Sequence, residues 1–319
     1  MHPGLEPYAL RPEHLERLAE VGELLAPEAV DGMAPERADE VLAAADVLLG
    51  HWGCARLDVA FLDRAPRLRM LAYAAGTLRD VVSAETFARL DRVTSGAAAN
   101  AVPVAEYTVA AILWANKGAF VERERLRGAE IPQTRRRHPV GNWAKRIGLV
   151  GASHVGRAVI GLLAPYRCEV VVADPYLSGD EAARLGVDLV DLDTLLATSD
   201  VVSLHAPALP TTERMIGAAQ LALMLDGATL INTARGTLVG HEALVAELSE
   251  GRLSAVLDVT EPEPLPPTHA FWRHPNIQLT PHIASMTQPL SAAEVVLDNL
   301  RRFEAGEPML GLVDRARGY

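Results

Sequence analysis

Lysine is almost missing from this 319-residue chain: of its 30 basic residues only Lys117 and Lys145 are lysine. Positive charge is outweighed as well, because 41 Asp and Glu residues leave a formal net charge of −11. Such a chain repels phosphate backbones and anionic headgroups, so no nucleic-acid or membrane partner is expected. The arginine bias itself reads as genome composition, not function. Cysteine is equally scarce. Cys54 and Cys168 are too few for a disulfide framework and share no metal-ligand spacing, so a reducing, cytoplasmic setting without a metal is expected. The opening residues, Met-His-Pro-Gly-Leu-Glu, show no basic-then-apolar pattern, and no apolar run is read as reaching about 18 residues.

What is present is an ordinary globular balance, 49% apolar and 22% charged, on a chain long enough for two cores. The first hundred residues alternate a helical period at Arg11–Glu23 with strand-like runs at Asp46–Gly50, Leu68–Tyr73 and Arg92–Ser95. Such alternation predicts a parallel sheet covered by helices, with ligands at the carboxyl ends of the strands. His51, Trp52 and the Ala74–Thr77 turn stand at such ends and are candidate substrate contacts; Trp52, Tyr73 and Met286 suggest an apolar pocket wall. Val102–Ala119 reads as a long, mostly apolar helix in which Glu106 and Asn116 are among the few polar residues. Glu122–His138, with Arg135-Arg-Arg137, reads as a solvated loop or a dimer rim.

From Ile147 the pattern sharpens. Ile147-Gly-Leu-Val-Gly-Ala-Ser-His-Val-Gly156 is a buried strand, a glycine turn and a helix start. Gly151, Ser153, His154, Val155 and Gly156 would present backbone N–H groups to a pyrophosphate. Asp174 ends the next apolar strand, 18 residues after Gly156, where a carboxylate accepts hydrogen bonds from an adenosine ribose. Ser153 occupies the position of the fingerprint's middle glycine. Further strands are predicted at Asp200–His205, Ala228–Thr233, Ala255–Asp258 and Ile277–Thr280. That makes six in this half, the number of a complete doubly wound fold.

Three polar residues stand just beyond strand ends of this second half: Arg235, Glu263 and His282. They suit hydride transfer between a nicotinamide and a 2-oxo or 2-hydroxy acid. A histidine is the natural proton donor to the carbonyl oxygen near neutral pH. A glutamate on its other ring nitrogen would fix the tautomer and favour the charged ring. An arginine would hold the substrate carboxylate through two parallel hydrogen bonds and polarise the carbonyl.

The segments Asn232-Thr-Ala-Arg-Gly236, Leu257-Asp-Val-Thr-Glu-Pro-Glu-Pro-Leu265 and Thr280-Pro-His-Ile-Ala284 make the chain resemble the D-isomer-specific 2-hydroxyacid dehydrogenases over nearly its whole length. The resemblance implies that Arg235, Glu263 and His282 are the catalytic arginine, glutamate and histidine. It implies a substrate-carboxylate turn at Ala75 and Gly76, and a cofactor lining that includes His205, Pro207, Thr212, Thr233, Ala234, Asp258 and Ala284. Val104-Ala-Glu-Tyr-Thr108 resembles the start of the family's inter-domain helix. The implied fold is α/β, two doubly wound parallel-sheet domains. A Rossmann-type NAD domain, residues 101–286, is inserted into a flavodoxin-like substrate domain, residues 1–100 and 287–319, with the active site in the cleft between them. A homodimer built through the cofactor domain is implied too.

Asp174 would repel a 2′-phosphate, and Pro175 and Tyr176 offer it no cation, so NAD is expected over NADP. Dinucleotide binding is expected to survive Ser153, somewhat altered. Two other readings share the fold: an NAD(H)-sensing, co-repressor-like binding protein, and a formate- or phosphite-type dehydrogenase. Formate enzymes of this superfamily pair the histidine with glutamine, which Glu263 disfavours. The identity of the 2-oxo acid is not written in the sequence.

Overall fold

The computed structural model describes residues 11–79, 81–127, 141–285 and 289–314. Arg135–Arg137 and Met286 lie outside the described residues. Backbone proximity divides the chain into two units, Met1–Ala101 with Thr287–Tyr319, and Val102–Met286.

In the first unit β1 (Val47–Gly50), β2 (Met70–Tyr73) and β3 (Arg92–Ser95) pair in parallel, in the order β1-β2-β3. The central strand β2 is buried along its whole length, and its side chains alternate between two cores. Leu71 and Tyr73 pack with Leu57, Leu62 and Val93. Met70 and Ala72 pack with Ala74 and Val296. The period of two in a strand produces this split. Val296 belongs to the helix Pro289–Ala305, which lies against β2 and the helix Pro12–Val21. The C-terminal segment therefore returns to the first unit because β2 has a second apolar face to cover.

The second unit holds a seven-stranded, all-parallel sheet. Its strands are β4 (Lys145–Val150), β5 (Cys168–Ala173), β6 (Asp188–Leu189), β7 (Val201–Leu204), β8 (Thr229–Asn232), β9 (Ser254–Leu257) and β10 (Ile277–Leu279). The spatial order is β10-β9-β8-β7-β4-β5-β6. The chain enters at β4, runs outward to β6, then returns beside β4 as β7 and runs outward the other way. This is the doubly wound Rossmann topology, and the reversal between β4 and β7 is its switch point. Its strands are near-continuous apolar runs because helices cover both faces. Ile147, Leu149, Val172 and Val201 enter one core, while Val150, Val171, Val202 and Leu204 enter the other.

Several sequence expectations change, and the stretch read as a loop or dimer rim from Glu122 begins inside a helix, Ala119–Arg127. The sheet has seven strands, not six. The addition, β6, is two exposed residues with no apolar run, so it carries no periodic signal. The long helix spans Ala97–Asn116, starting five residues earlier than Val102, with Pro103 inside it. Proline removes one backbone donor, and the alanine-rich residues before it keep the helical path. By length and composition this helix passes a test for a membrane span, despite the expectation that no apolar run was long enough. Core helices of globular units pass the same test, and here Ala105, Val109, Ala111 and Ile112 are buried in one of the two sheet cores.

Candidate functional site

The switch point is built by close backbone approach. Gly151 follows β4 with φ +101°, and the helix His154–Leu163 starts three residues later. A Cβ on Gly156 would lie 2.2 Å from the Gly151 carbonyl oxygen, so only glycine lets the helix begin this near the strand. Ser153 is the N-cap; its Oγ accepts from the Gly156 N–H at 3.5 Å and keeps its own proton for another acceptor. Asp174 joins the turns after β4 and β5: Ala152 N–H donates to Oδ2 (2.7 Å) and Tyr176 N–H to Oδ1 (2.8 Å). The carboxylate is thus anchored, with acceptor positions left over.

His205, just beyond β7, is buried, and among the described residues neither ring nitrogen has a partner. Burial pushes its pKa down from 6.5 to about 4. The ring is neutral in the native state, whereas the unfolded chain takes up a proton below pH 6.5. Its contribution to stability is therefore complete above pH 6.5 and is lost as the pH falls toward 4, to a limit of about 3 kcal/mol. His51 and His241 are displaced the same way, also to about 4. Urea midpoints of His205→Asn should fall less steeply than wild type between pH 7 and 4.5. Identical slopes would contradict the neutral buried ring. In the loop that follows, Thr212 Oγ1 donates to the Pro207 carbonyl (2.6 Å) and accepts from Leu209 N–H (2.9 Å), which clamps its curvature.

The other half of the site stands on three neighbouring strands whose ends are in register, Asn232 with Leu257 and Leu257 with Leu279. Beyond β8, the Asn232 amide brackets the turn: Oδ1 accepts from Ala234 N–H (3.0 Å) and Nδ2 donates to the Arg235 carbonyl (2.8 Å). Arg235 is exposed, and its Nη1 donates to the Ala234 carbonyl at 2.6 Å. A Cβ on Gly236 would lie 2.1 Å from the Thr260 backbone, so the arginine turn and the glutamate loop are in direct contact through glycine. Thr233 is buried, and its hydroxyl lies 3.0 Å from Thr108 Oγ1 on the long helix.

Beyond β9, Asp258 is 1% exposed, an expensive place for a charge unless it is hydrogen-bonded. Its carboxylate accepts from Thr280 Oγ1 (2.6 Å), Ile283 N–H (2.9 Å) and Ala284 N–H (2.9 Å), while its carbonyl accepts from His282 N–H (2.9 Å). Between these bonds His282 takes φ +53°, a left-handed conformation that costs a non-glycine residue about 1–2 kcal/mol. Its Nδ1–H donates to Glu263 Oε1 at 2.8 Å, and both side chains are a little under half exposed. With Nδ1 engaged, Nε2 is the nitrogen open to a substrate oxygen.

In the first unit, Ala75 is buried at the end of β2, and Ser95 Oγ donates to the Gly76 carbonyl at 2.7 Å. Among the described residues no acceptor faces the Ala75 or Gly76 N–H. His51 is buried, edge-on to Trp52 at 4.7 Å, with both ring nitrogens unpartnered among the described residues.

A family model, the D-isomer specific 2-hydroxyacid dehydrogenase, NAD binding domain, matches residues 109–284, more than half of the chain. The chain belongs to the D-isomer specific 2-hydroxyacid dehydrogenases. A glyoxylate reductase of Thermofilum pendens is 33% identical to this family member, over 82% of its chain and 79% of the reductase. A D-3-phosphoglycerate dehydrogenase of Archaeoglobus fulgidus is 29% identical over 81% of the chain, which spans only 50% of that longer protein. A solved D-isomer specific 2-hydroxyacid dehydrogenase from Xanthobacter autotrophicus Py2, in complex with NADPH and MES, superposes with a TM-score of 0.70. It is 29% identical, and the match covers 87% of this chain and 86% of that one. The chain carries the family's NAD binding domain, and NAD is its cofactor. The turn fits a dinucleotide: glycine at 156 lets the helix N-terminus begin directly against the Gly151 turn, and the buried His205 ring beside it has no partner among the described residues.

The structure joins His282 to Glu263 by a direct hydrogen bond and joins Arg235 to neither, although all three follow adjacent strands. Asn232, Tyr107 and Thr280 carried no role in the sequence reading, yet they organise the candidate site. Asn232 could have been found as a side-chain amide at a strand end two residues before a turn, a frequent Asx geometry. Tyr107 and Thr108 stood in a helix read as almost wholly apolar, where a hydroxyl needs a partner.

Proposed function

We propose that this protein interconverts a 2-oxo acid and a D-2-hydroxy acid, using NAD(H). The observation that carries the proposal is the 2.8 Å bond between His282 Nδ1 and Glu263 Oε1. It orients the imidazole and leaves Nε2 to protonate the carbonyl oxygen during reduction, or to take the hydroxyl proton during oxidation. Arg235 grips the substrate carboxylate with guanidinium donors that have no other partner among the described residues than the Ala234 carbonyl. The open N–H groups of Ala75 and Gly76 suit a carboxylate as well. Gly151, Ser153, His154, Val155 and Gly156 hold the pyrophosphate, and Asp174 the adenosine ribose. His205, Pro207, Thr212, Thr233, Ala234, Asp258 and Ala284 line the remainder. When bound, the nicotinamide supplies or receives the hydride.

A homodimer in the cytoplasm belongs to the same proposal. Both cysteines are free, and the second unit exposes Trp114 (56%), packed on Phe120, and Trp143 (70%), beneath Arg167. Such rings suit burial between copies.

NADH oxidation against a panel of small, branched-chain and aromatic 2-oxo acids, run in parallel with NADPH, tests the proposal. Turnover with at least one acid is expected. The anchored Asp174 carboxylate meets a 2′-phosphate with like charge, so kcat/KM with NADH should exceed that with NADPH by roughly 10²-fold. Equal values would remove Asp174 as the selector. Tight NADH binding without turnover on any acid would favour a sensor instead.

A further inference from the structure

We infer that Tyr107 and Thr280 are positioning residues that hold the acid His282 in its working conformation through Asp258; this rests on the dehydrogenase reading above. The hydrogen bonds have only one consistent direction. Asp258 Oδ1 can only accept, so Thr280 Oγ1 spends its single proton on it at 2.6 Å. Tyr107 OH, 2.6 Å from the same Oγ1, must therefore donate to it. Tyr107 is well placed to do so. Burial raises the pKa of its phenol and the Asp258 charge adds to that, against the lowering effect of Thr280, so it keeps its proton throughout the working pH range.

Asp258 then gathers three successive backbone N–H groups, those of His282, Ile283 and Ala284, on its own carbonyl and carboxylate. That clamp is what sets His282 at φ +53° and presents its Nδ1 to Glu263. A phenol from the long helix thus fixes a loop 173 positions later in the chain. Without the Tyr107 hydroxyl, Thr280 Oγ1 loses the donor that polarises and orients it, so its bond to Asp258 is held less firmly. The left-handed turn then loses part of what over-determines it. The neighbouring Thr108 pair to Thr233 is separate and stays intact, so the helix keeps a second tie to the strand ends.

Tyr107→Phe and Thr280→Val each remove one hydroxyl at nearly constant shape, and Thr280→Ser restores one. Both removals should lower kcat for the best 2-oxo acid about tenfold and leave NADH affinity within about twofold. Thr280→Ser should recover most of the loss. In the free protein, ¹⁵N spectra should show a slowly exchanging His282 Nδ1–H in wild type and in Thr280→Ser, broadened or lost in the other two. Unchanged spectra and kcat in Tyr107→Phe and Thr280→Val, or a Thr280→Ser as impaired as Thr280→Val, would overturn the inference. The spectra need no turnover. If wild type reduces no 2-oxo acid but the Nδ1–H signal still depends on both hydroxyls, the positioning stands and the dehydrogenase reading falls.

Discussion

His282→Ala is expected to lower turnover with a 2-oxo acid by about 10²–10⁴-fold and leave NADH affinity nearly unchanged. The size follows from the role. Reduction generates an alkoxide, and only a group already held at that oxygen can protonate it without waiting for solvent. The imidazole is held twice, by the Glu263 bond on Nδ1 and by the Asp258 clamp on its backbone. A solvent proton can partly replace the acid, but nothing replaces its position, so the loss should appear in kcat. Stopped-flow reduction with a fluorescence titration of NADH separates the two quantities. Unchanged turnover would remove His282 as the acid, and a parallel loss of NADH binding would mark it as a cofactor contact instead.

Arg235→Met is expected to lower kcat/KM by about 10²–10³-fold, and Arg235→Lys to recover only part of it. Two charge-assisted hydrogen bonds to a carboxylate disappear together in the methionine variant. Lysine returns the charge but not the planar fork, so orientation stays poor. The backbone should not move in either case. Asn232 brackets the residue on both sides, and Gly236 packs on the Thr260 backbone regardless of the side chain at position 235. Steady-state kinetics across the substrate range, with NADH affinity as the control, checks this. Wild-type kcat/KM in the methionine variant would take Arg235 out of substrate binding.

Much of the fold was legible in the amino-acid order. The alternation of apolar runs with helical periods announced parallel sheets, and the glycines at 151 and 156 announced the switch point. Both signals are local: a buried strand must be apolar, and a helix can start beside a strand only where no Cβ intervenes. Ser153 shows where a local rule bends, because a residue that looked like a defect in the fingerprint is the helix cap. β6 was not legible, since two exposed residues bury too little to leave a pattern.

The sequence alone established that Arg235, Glu263 and His282 each follow a strand, and that Asp174 ends one. Only the tertiary structure decided which of these meet. Strand order set Asn232, Leu257 and Leu279 side by side, and that adjacency brought Glu263 onto His282 and Asp258 beneath the loop 282–284. Tyr107 was invisible beforehand for the same reason. Hydrophobic periodicity reports what a segment buries, whereas a hydrogen bond depends on which distant segment the crossovers lay against it.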